Sequence, residues 1–458
     1  MIMAKHLGII IAFGPEVRGF VHSGLISNIA QKYRITIITA KPESASLYGI
    51  NGSVDIIQLP ENQEHSLLRK WRQRAALVHT LWLEKLGFEK WHHYLNDRKP
   101  HKSLKQFILF SISQRWTAHF LGRFEAKLAK IIGNNRSWSK LYHDLGIDAV
   151  LTSSYASERT LPALATAVNM GLKTFVVTNS WKDIHVKPHL PLQPTRLMVW
   201  NQGNAALFVK FNPWMKIESL QITGSLHLGP FLNEKNILSQ EDFCQKTGLS
   251  PNRPYICYSA AAPHAVQEEE GVVAAILEAI KNGKLPRTTQ MLLRFNPMED
   301  GSRFEYLRSS YPEELVIQKP QWEWLPELDW CCALPDDVRL WVSTVHYARV
   351  NVSIPSTVTL EFAALKKPVL NVCFDMSPQE PEQSNLRFWN GDFYQEIKSM
   401  DIAKPCFSEE ELLTNLQGIL AEKDNQSYNQ FNHKESLDWL GWVAAEKIKN
   451  AIEEAFDK

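Results

Sequence analysis

The chain has 458 residues, 44% of them hydrophobic and 22% charged, with a formal net charge of +1. This composition excludes disordered and fibrous chains and leaves room for two or three domains with full cores. The near-zero balance says nothing about partners, but its distribution does: His65 to Lys140 holds 16 Lys/Arg against 4 Asp/Glu, so the remainder is net acidic.

The first element, "HLGIIIAF" (6–13), is a continuous apolar run, the pattern of a strand buried on both faces. It reads as a strand rather than a leader peptide, because Gly-Pro and charges follow it instead of a small-residue cleavage site. "VHSGLISNIAQKY" follows at helical spacing, then the strands "RITIITA" and "SVDIIQL". The basic stretch 65–140 has helical spacing and interleaves Trp71, Trp82, Trp91 and Trp116. Alternation resumes with "IDAVLTSS", "SERTLPALATAVNMG" and "KTFVVTNS"; "RLMVW" and "IESLQITG" close this half.

A second alternation begins with the strand "RPYICYSA". The helix "EEEGVVAAILEAIKNG" starts acidic and ends at Lys-Asn-Gly, as the helix dipole and C-cap preferences favour. "TQMLLRFNP" and "ELVIQKP" are strands, "PDDVRLWVSTVHYA" a helix and "RVNVSI" a strand; a short helix in "IPSTVTLEFAALKK" leads to the strand "KPVLNVCFD". The tail from 408 is helical and ends in one long amphipathic segment. Two successive βαβ sets predict two Rossmann-like, doubly wound parallel-sheet α/β domains. The boundaries fall at 1–228 for the first, with the basic helical insertion at about 65–140, then a linker at 229–244 and the second domain at 245–425. Ligands of open parallel sheets bind at the strands' carboxyl ends, so a central cleft between the two sheets is the expected site.

The six cysteines form no C-x-x-C pair and no Cys/His metal spacing, which suits reduced core thiols in a cytoplasmic protein. Walker A, G-x-G-x-x-G, G-x-S-x-G and H-E-x-x-H motifs are absent. No run reaches the ~18–20 apolar residues of a membrane span. Three readings of the basic stretch stay open: peripheral contact with anionic membrane at the inner face of the cell, steering of a phosphate-bearing acceptor, or a solvated insertion whose aromatics fill the core. Nucleic acid is disfavoured, since no nucleic-acid motif accompanies the charge.

The strongest constellation is Ser356, Thr357 and Glu361. A helix N-terminus offers unpaired N–H groups to a diphosphate, and a carboxylate accepts two hydrogen bonds from a ribose diol. The competing reading is plain capping by Ser356 with Glu361 offsetting the dipole. Arg294, at a strand end before Asn296-Pro297, is a candidate phosphate contact. His264 and Glu268 flank a run of small residues after "YICYSA". In the first half Glu16 is the candidate base in "FGPEVRGF", beside Arg18. Ser153, Ser154 and Glu158 mark a second turn, and Ser180, Trp181, Lys182 and Asp183 a third. Trp322, Trp324 and Trp330 fall in a predicted loop, where an aromatic could cover a base or simply pack.

These motifs resemble a GT-B-fold glycosyltransferase of the bacterial surface-carbohydrate type. "TNSWKDI", "RLMVWNQGNAALFVK" and "LQITGS" resemble the end of the N-terminal domain in that family. "LLRFNP" is similar to its Arg-x-His-Pro segment, and "PSTVTLEFAALKKPVLNVCFD" to its Ser-Thr-x-x-x-Glu-Ala-Ala helix and following strand. Lys182 and Asn296 depart from the usual Asp and His. The resemblance implies a nucleotide-sugar donor, UDP-linked, bound by Ser356, Thr357, Glu361 and Arg294, with Asp375, Gln379 and Gln383 toward the sugar. It implies transfer to a glycan or lipid-linked acceptor on the side of Arg18, Ser154 and Trp181, no bound metal, and a tail at 426–458 that packs back on the N-terminal domain. A glycerophosphotransferase with a CDP-glycerol donor and a non-catalytic scaffold are the alternatives. The Ser-Thr…Glu motif is also shared, more loosely, with nucleotide-sugar 2-epimerases.

Overall fold

The computed structural model describes residues 4–44, 49–50, 54–61, 64–86, 111–187, 189–266, 268–381, 383–421 and 435–457. Trp91 and the middle of the basic stretch lie outside the described residues. Two compact units emerge: residues 1–227, 325–330 and 442–458 form one, and residues 228–324 and 331–441 the other.

In unit 1, β1 (His6–Ile11), β2 (Arg34–Thr39), β3 (Asp55–Gln58), β4 (Ala149–Thr152), β5 (Lys173–Val177), β6 (Arg196–Val199) and β7 (Leu220–Ile222) form a seven-stranded sheet in the order β3-β2-β1-β4-β5-β6-β7. Every pairing is parallel. The strand order reverses between β1 and β4, so the loops after these two strands diverge and leave a ligand crevice at the sheet's carboxyl edge. All residues of β1 are buried, as its unbroken apolar run requires.

Among the described residues, three helices leave the Rossmann pattern between β3 and β4: α2 (Ser66–Lys85), α3 (Arg115–Ile132) and α4 (Arg136–Leu145), preceded in the chain by α1 (Leu25–Ile29). Their aromatics divide. Trp82 and Trp138 are core residues, Trp71 packs on Phe124 at 4.5 Å, and Trp116 and Phe120 are 70% and 59% exposed. A buried polar cluster ties α2 and α3 to the sheet domain. His79 Nε2 donates to the Phe211 carbonyl at 2.6 Å, and His189 Nε2 meets Glu125 Oε2 at 2.5 Å. A carbonyl only accepts, so Nε2 of His79 carries the proton. Burial and the neighbouring His189 lower His79 to about 3.

In unit 2, β8 (Tyr255–Ser259), β9 (Gln290–Arg294), β10 (Leu315–Gln318), β13 (Val350–Ser353), β14 (Val369–Val372) and β15 (Lys404–Cys406) form a six-stranded parallel sheet in the order β10-β9-β8-β13-β14-β15. Its reversal falls between β8 and β13. A hairpin of β11 (Trp322–Leu325) and β12 (Trp330–Ala333) stands apart, so the tryptophan triplet expected in a loop lies on strands. Helices α5 (Glu269–Lys281), α6 (Pro335–Tyr347) and α7 (Val358–Ala364) follow β8, β12 and β13. Val273, Ile276 and Leu277 of α5 join Ile256, Leu293 and Val352 of the sheet in one core cluster.

The last helix, α8 (Ala444–Asp457), belongs to unit 1. Phe456 stacks on Tyr33 at 5.6 Å and meets Phe175 edge-on at 6.2 Å, and Lys32 pairs with Glu453 at 3.1 Å. Two doubly wound parallel-sheet domains are thus present, the fold class the sequence predicts. Among the described residues no helix is long and apolar enough to cross a membrane, and no group of three or more His, Cys, Asp or Glu side chains is placed to hold a metal ion.

Candidate active site

In unit 2 the Ser-Thr…Glu segment sits at the carboxyl end of β13, at the strand-order reversal. Helix α7 has seven residues and begins one position later than plain capping by Ser356 predicts. Thr357 occupies the N-cap with helical angles, and its side chain makes no cap hydrogen bond. So short a helix contributes little dipole, which shifts weight from the helix end to Glu361. That carboxylate is 2% exposed, and Trp341 Nε1 donates to its Oε2 at 2.6 Å.

Arg294, at the end of β9, is also buried. Its Nη1 donates to Gln318 Oε1 and its Nη2 to Asp337 Oδ2, each at 2.7 Å, and its guanidinium lies 4.9 Å from the Trp341 ring centre. Asp337 further accepts from Trp322 Nε1 at 2.7 Å and Gln321 N at 2.9 Å. The structure therefore brings Arg294 and Glu361 together through Trp341. Sequence reasoning missed Trp341 and Asp337. Their spacing of one helical turn, on a helix following two strands, was the available signal.

The other candidates in this unit are more dispersed. Asp375 Oδ1 accepts from Asn385 N at 2.7 Å. Gln379 and Ser377 donate to the exposed Glu268, at 3.4 and 2.6 Å. Gln383 and His264 are exposed. Asn296 caps its own loop, accepting from Met298 N at 3.0 Å. Glu269, one residue past Glu268, accepts from Ala261 N at 3.1 Å and from Arg303 at 2.9 Å, which pins the loop after β8. Full burial raises its carboxyl to about 7.

In unit 1, Glu16 ends a single helical turn after β1 and is 1% exposed. Its Oε2 accepts from Ala12 N at 2.6 Å and Phe13 N at 3.0 Å; its Oε1 accepts from Ser153 Oγ at 2.7 Å and Ser154 Oγ at 2.8 Å. The carboxylate thus cross-links the β1 and β4 loops across the reversal. Burial raises its pKa, while these hydrogen bonds pull the other way. Beside it lies a cavity of about 300 Å³ lined by Phe13, Ser154, Ser157, Asn179, Lys187 and Trp330, among others. Arg159 fastens the 325–330 segment here, pairing with Asp329 at 2.6 Å. Arg18 lies on a π-helical stretch, Val17–His22, outside the cavity lining. Trp181 is 1% exposed and is a core side chain. Half-buried Lys182 lies 5.3 Å over its ring, with an ammonium lowered to about 8 by desolvation. Asp183 caps the loop, accepting from Asn179 N at 2.8 Å and Ser180 N at 3.1 Å.

No protein-family model and no curated protein matches the chain. Solved structures do. A UDP-GlcNAc 2-epimerase from Neisseria meningitidis, bound to UDP-GlcNAc, is 13% identical and matches with a TM-score of 0.59 over 98% of this chain and 100% of its own. A putative UDP-N-acetylglucosamine 2-epimerase from Listeria monocytogenes is 12% identical, with a TM-score of 0.57 over 99% and 97%. The UDP-GlcNAc 2-epimerase of Methanocaldococcus jannaschii gives 10% identity and a TM-score of 0.52 over 94% and 98%. This chain has the fold of those epimerases.

These likenesses keep the GT-B-like fold but correct the expectation of a glycosyltransferase, and with it transfer to a glycan or lipid-linked acceptor. An epimerase rearranges its nucleotide sugar and uses no separate acceptor. The physical reason for the error is that the chemistry expected of the Ser-Thr…Glu segment concerns a nucleotide and not what becomes of its sugar. The same segment suits any enzyme that holds a nucleoside diphosphate, whatever then happens to the sugar.

Proposed function

We propose that the chain is a UDP-sugar-binding enzyme of the epimerase type, inverting a stereocentre of the sugar without handing it to an acceptor. The observation that carries this is Glu361: a carboxylate almost sealed from water, held by an indole donor, at the carboxyl end of β13 where the strand order reverses. Hydrogen bonds offset the cost of burying such a carboxylate, and its two oxygens offer about four acceptor sites, enough for a ribose diol beside the indole. Ser356 and Thr357 are proposed to meet the diphosphate, with Arg294 behind them and Asp375 and Gln383 on the outer rim. The fold likeness to an epimerase bound to UDP-GlcNAc supports the nucleotide and the reaction class.

Inverting a carbon requires a group that takes its hydrogen and a group that returns one to the other face. Glu16 is the candidate proton-transfer group. Burial raises its pKa above the ordinary carboxylate value, and the hydroxyls of Ser153 and Ser154 that hold it can relay a proton. A location at the inner face of the membrane is supported by the outward Trp116 and Phe120 of the basic helix α3.

Calorimetric titration with UDP and UDP-GlcNAc tests the nucleotide assignment. Binding by the wild type, weakened in Glu361→Ala, is expected. No heat from either ligand contradicts the proposal.

A further inference from the structure

The terminal torsion of a glutamate is broad, so the direction in which Glu361 presents its carboxylate is set by its partners. The indole N–H of Trp341 only donates, and at 2.6 Å to a carboxylate it makes a short, charge-assisted hydrogen bond. The indole is itself held in place. It is 8% exposed, the Phe362 ring meets it edge-on at 6.0 Å and 71°, and the Arg294 guanidinium covers it at 4.9 Å. Arg294 is fixed in turn by Gln318 on β10 and by Asp337, one turn before Trp341 on α6. A continuous train of contacts thus runs from β10 and β9 through α6 and ends on Oε2 of Glu361. A glutamate that only offset the charge of a short helix end could stay in water and would need no buried donor.

We infer that Trp341 is the positioning residue that aims Glu361 at a ribose, so that the site selects ribonucleotides over deoxyribonucleotides. This rests on the UDP-sugar reading above. A carboxylate offers about four acceptor sites, so it can accept from the indole and from a ribose together. Turned to a fixed angle, it matches a vicinal diol, whereas a 2′-deoxyribose supplies a single hydroxyl. A site built to bind a hydroxyl rejects the analogue that lacks it.

The test uses the full chain and three probes: UDP, 2′-deoxy-UDP and inorganic pyrophosphate. The wild type is expected to prefer UDP over 2′-deoxy-UDP by roughly tenfold or more. In Trp341→Phe, which keeps an aromatic ring against Phe362 and Arg294, that ratio falls toward one and pyrophosphate binding is unchanged. Glu361→Gln supplies a second reading if Trp341→Phe folds poorly. Its amide oxygen still accepts from the indole, and the preference is expected to collapse in the same way. A wild type that prefers UDP alongside variants that are less stable but keep the full preference overturns the positioning role alone. A wild type with no UDP affinity overturns the nucleotide reading and this inference together.

Discussion

Arg294 Nη2 meets Asp337 Oδ2 at 2.7 Å, with the two side chains only 8% and 1% exposed. Removing one partner of such a pair strands the other charge in a low-dielectric interior, which costs about 3–5 kcal/mol. Asp337→Ala is therefore expected to destabilise the protein by about that amount. It also frees Gln321 N and Trp322 Nε1 from their acceptor. Urea unfolding of wild type and variant measures the difference, and a change below about 1 kcal/mol contradicts the account of this cluster.

Glu16 makes a second prediction. Glu16→Ala leaves the Ala12 and Phe13 amides and the Ser153 and Ser154 hydroxyls without their acceptor, at about 1–3 kcal/mol for each group left buried and unpaired. Glu16→Gln keeps the shape and part of the acceptor capacity, so it is expected to fold and to lose less stability. If Glu16 moves a proton, Glu16→Gln slows turnover by roughly a hundredfold or more. A folded Glu16→Gln with wild-type turnover leaves the residue only its loop-linking role.

His79 predicts the acid limb of stability. Its folded value, about 3, lies below the ordinary histidine range because burial and His189 disfavour the charged ring. A group with a depressed folded pKa contributes stability above its unfolded pKa and loses it as pH falls toward the folded one. Stability should therefore drop between about pH 6.5 and pH 3, by up to about 1.4 kcal/mol per pH unit from this residue. The groups around it are His189, Glu125, Trp82 and Trp214. His79→Gln, which can still donate to the Phe211 carbonyl, should flatten this slope when urea midpoints are compared from pH 7 to pH 4.5. An unchanged slope contradicts the assignment.

Much of this architecture is legible in the residues. The run "HLGIII" reads as a strand buried on both faces and is one, and the order of apolar runs yields two parallel-sheet domains. The local spacing of Ser356, Thr357 and Glu361 marks a strand-to-helix turn correctly. What stays hidden is long-range partnership. Glu16 finds Ser153 and Ser154 across 137 and 138 positions, and Arg294 finds Asp337 across 43. No local pattern encodes these pairings, because they arise when parallel strands bring distant loops to one sheet edge. The proposed reaction class is hidden for a different reason: a motif suited to a nucleotide does not record whether a sugar is transferred or rearranged.

The most direct test of the central claim is proton NMR of UDP-GlcNAc incubated with the protein in D2O, with no acceptor present. A second UDP-linked hexosamine is expected, epimeric at one ring carbon and carrying deuterium there, which approaches an equilibrium ratio with the starting sugar. UDP-GlcNAc and other UDP-hexoses that stay unchanged and undeuterated with active, folded protein would contradict it.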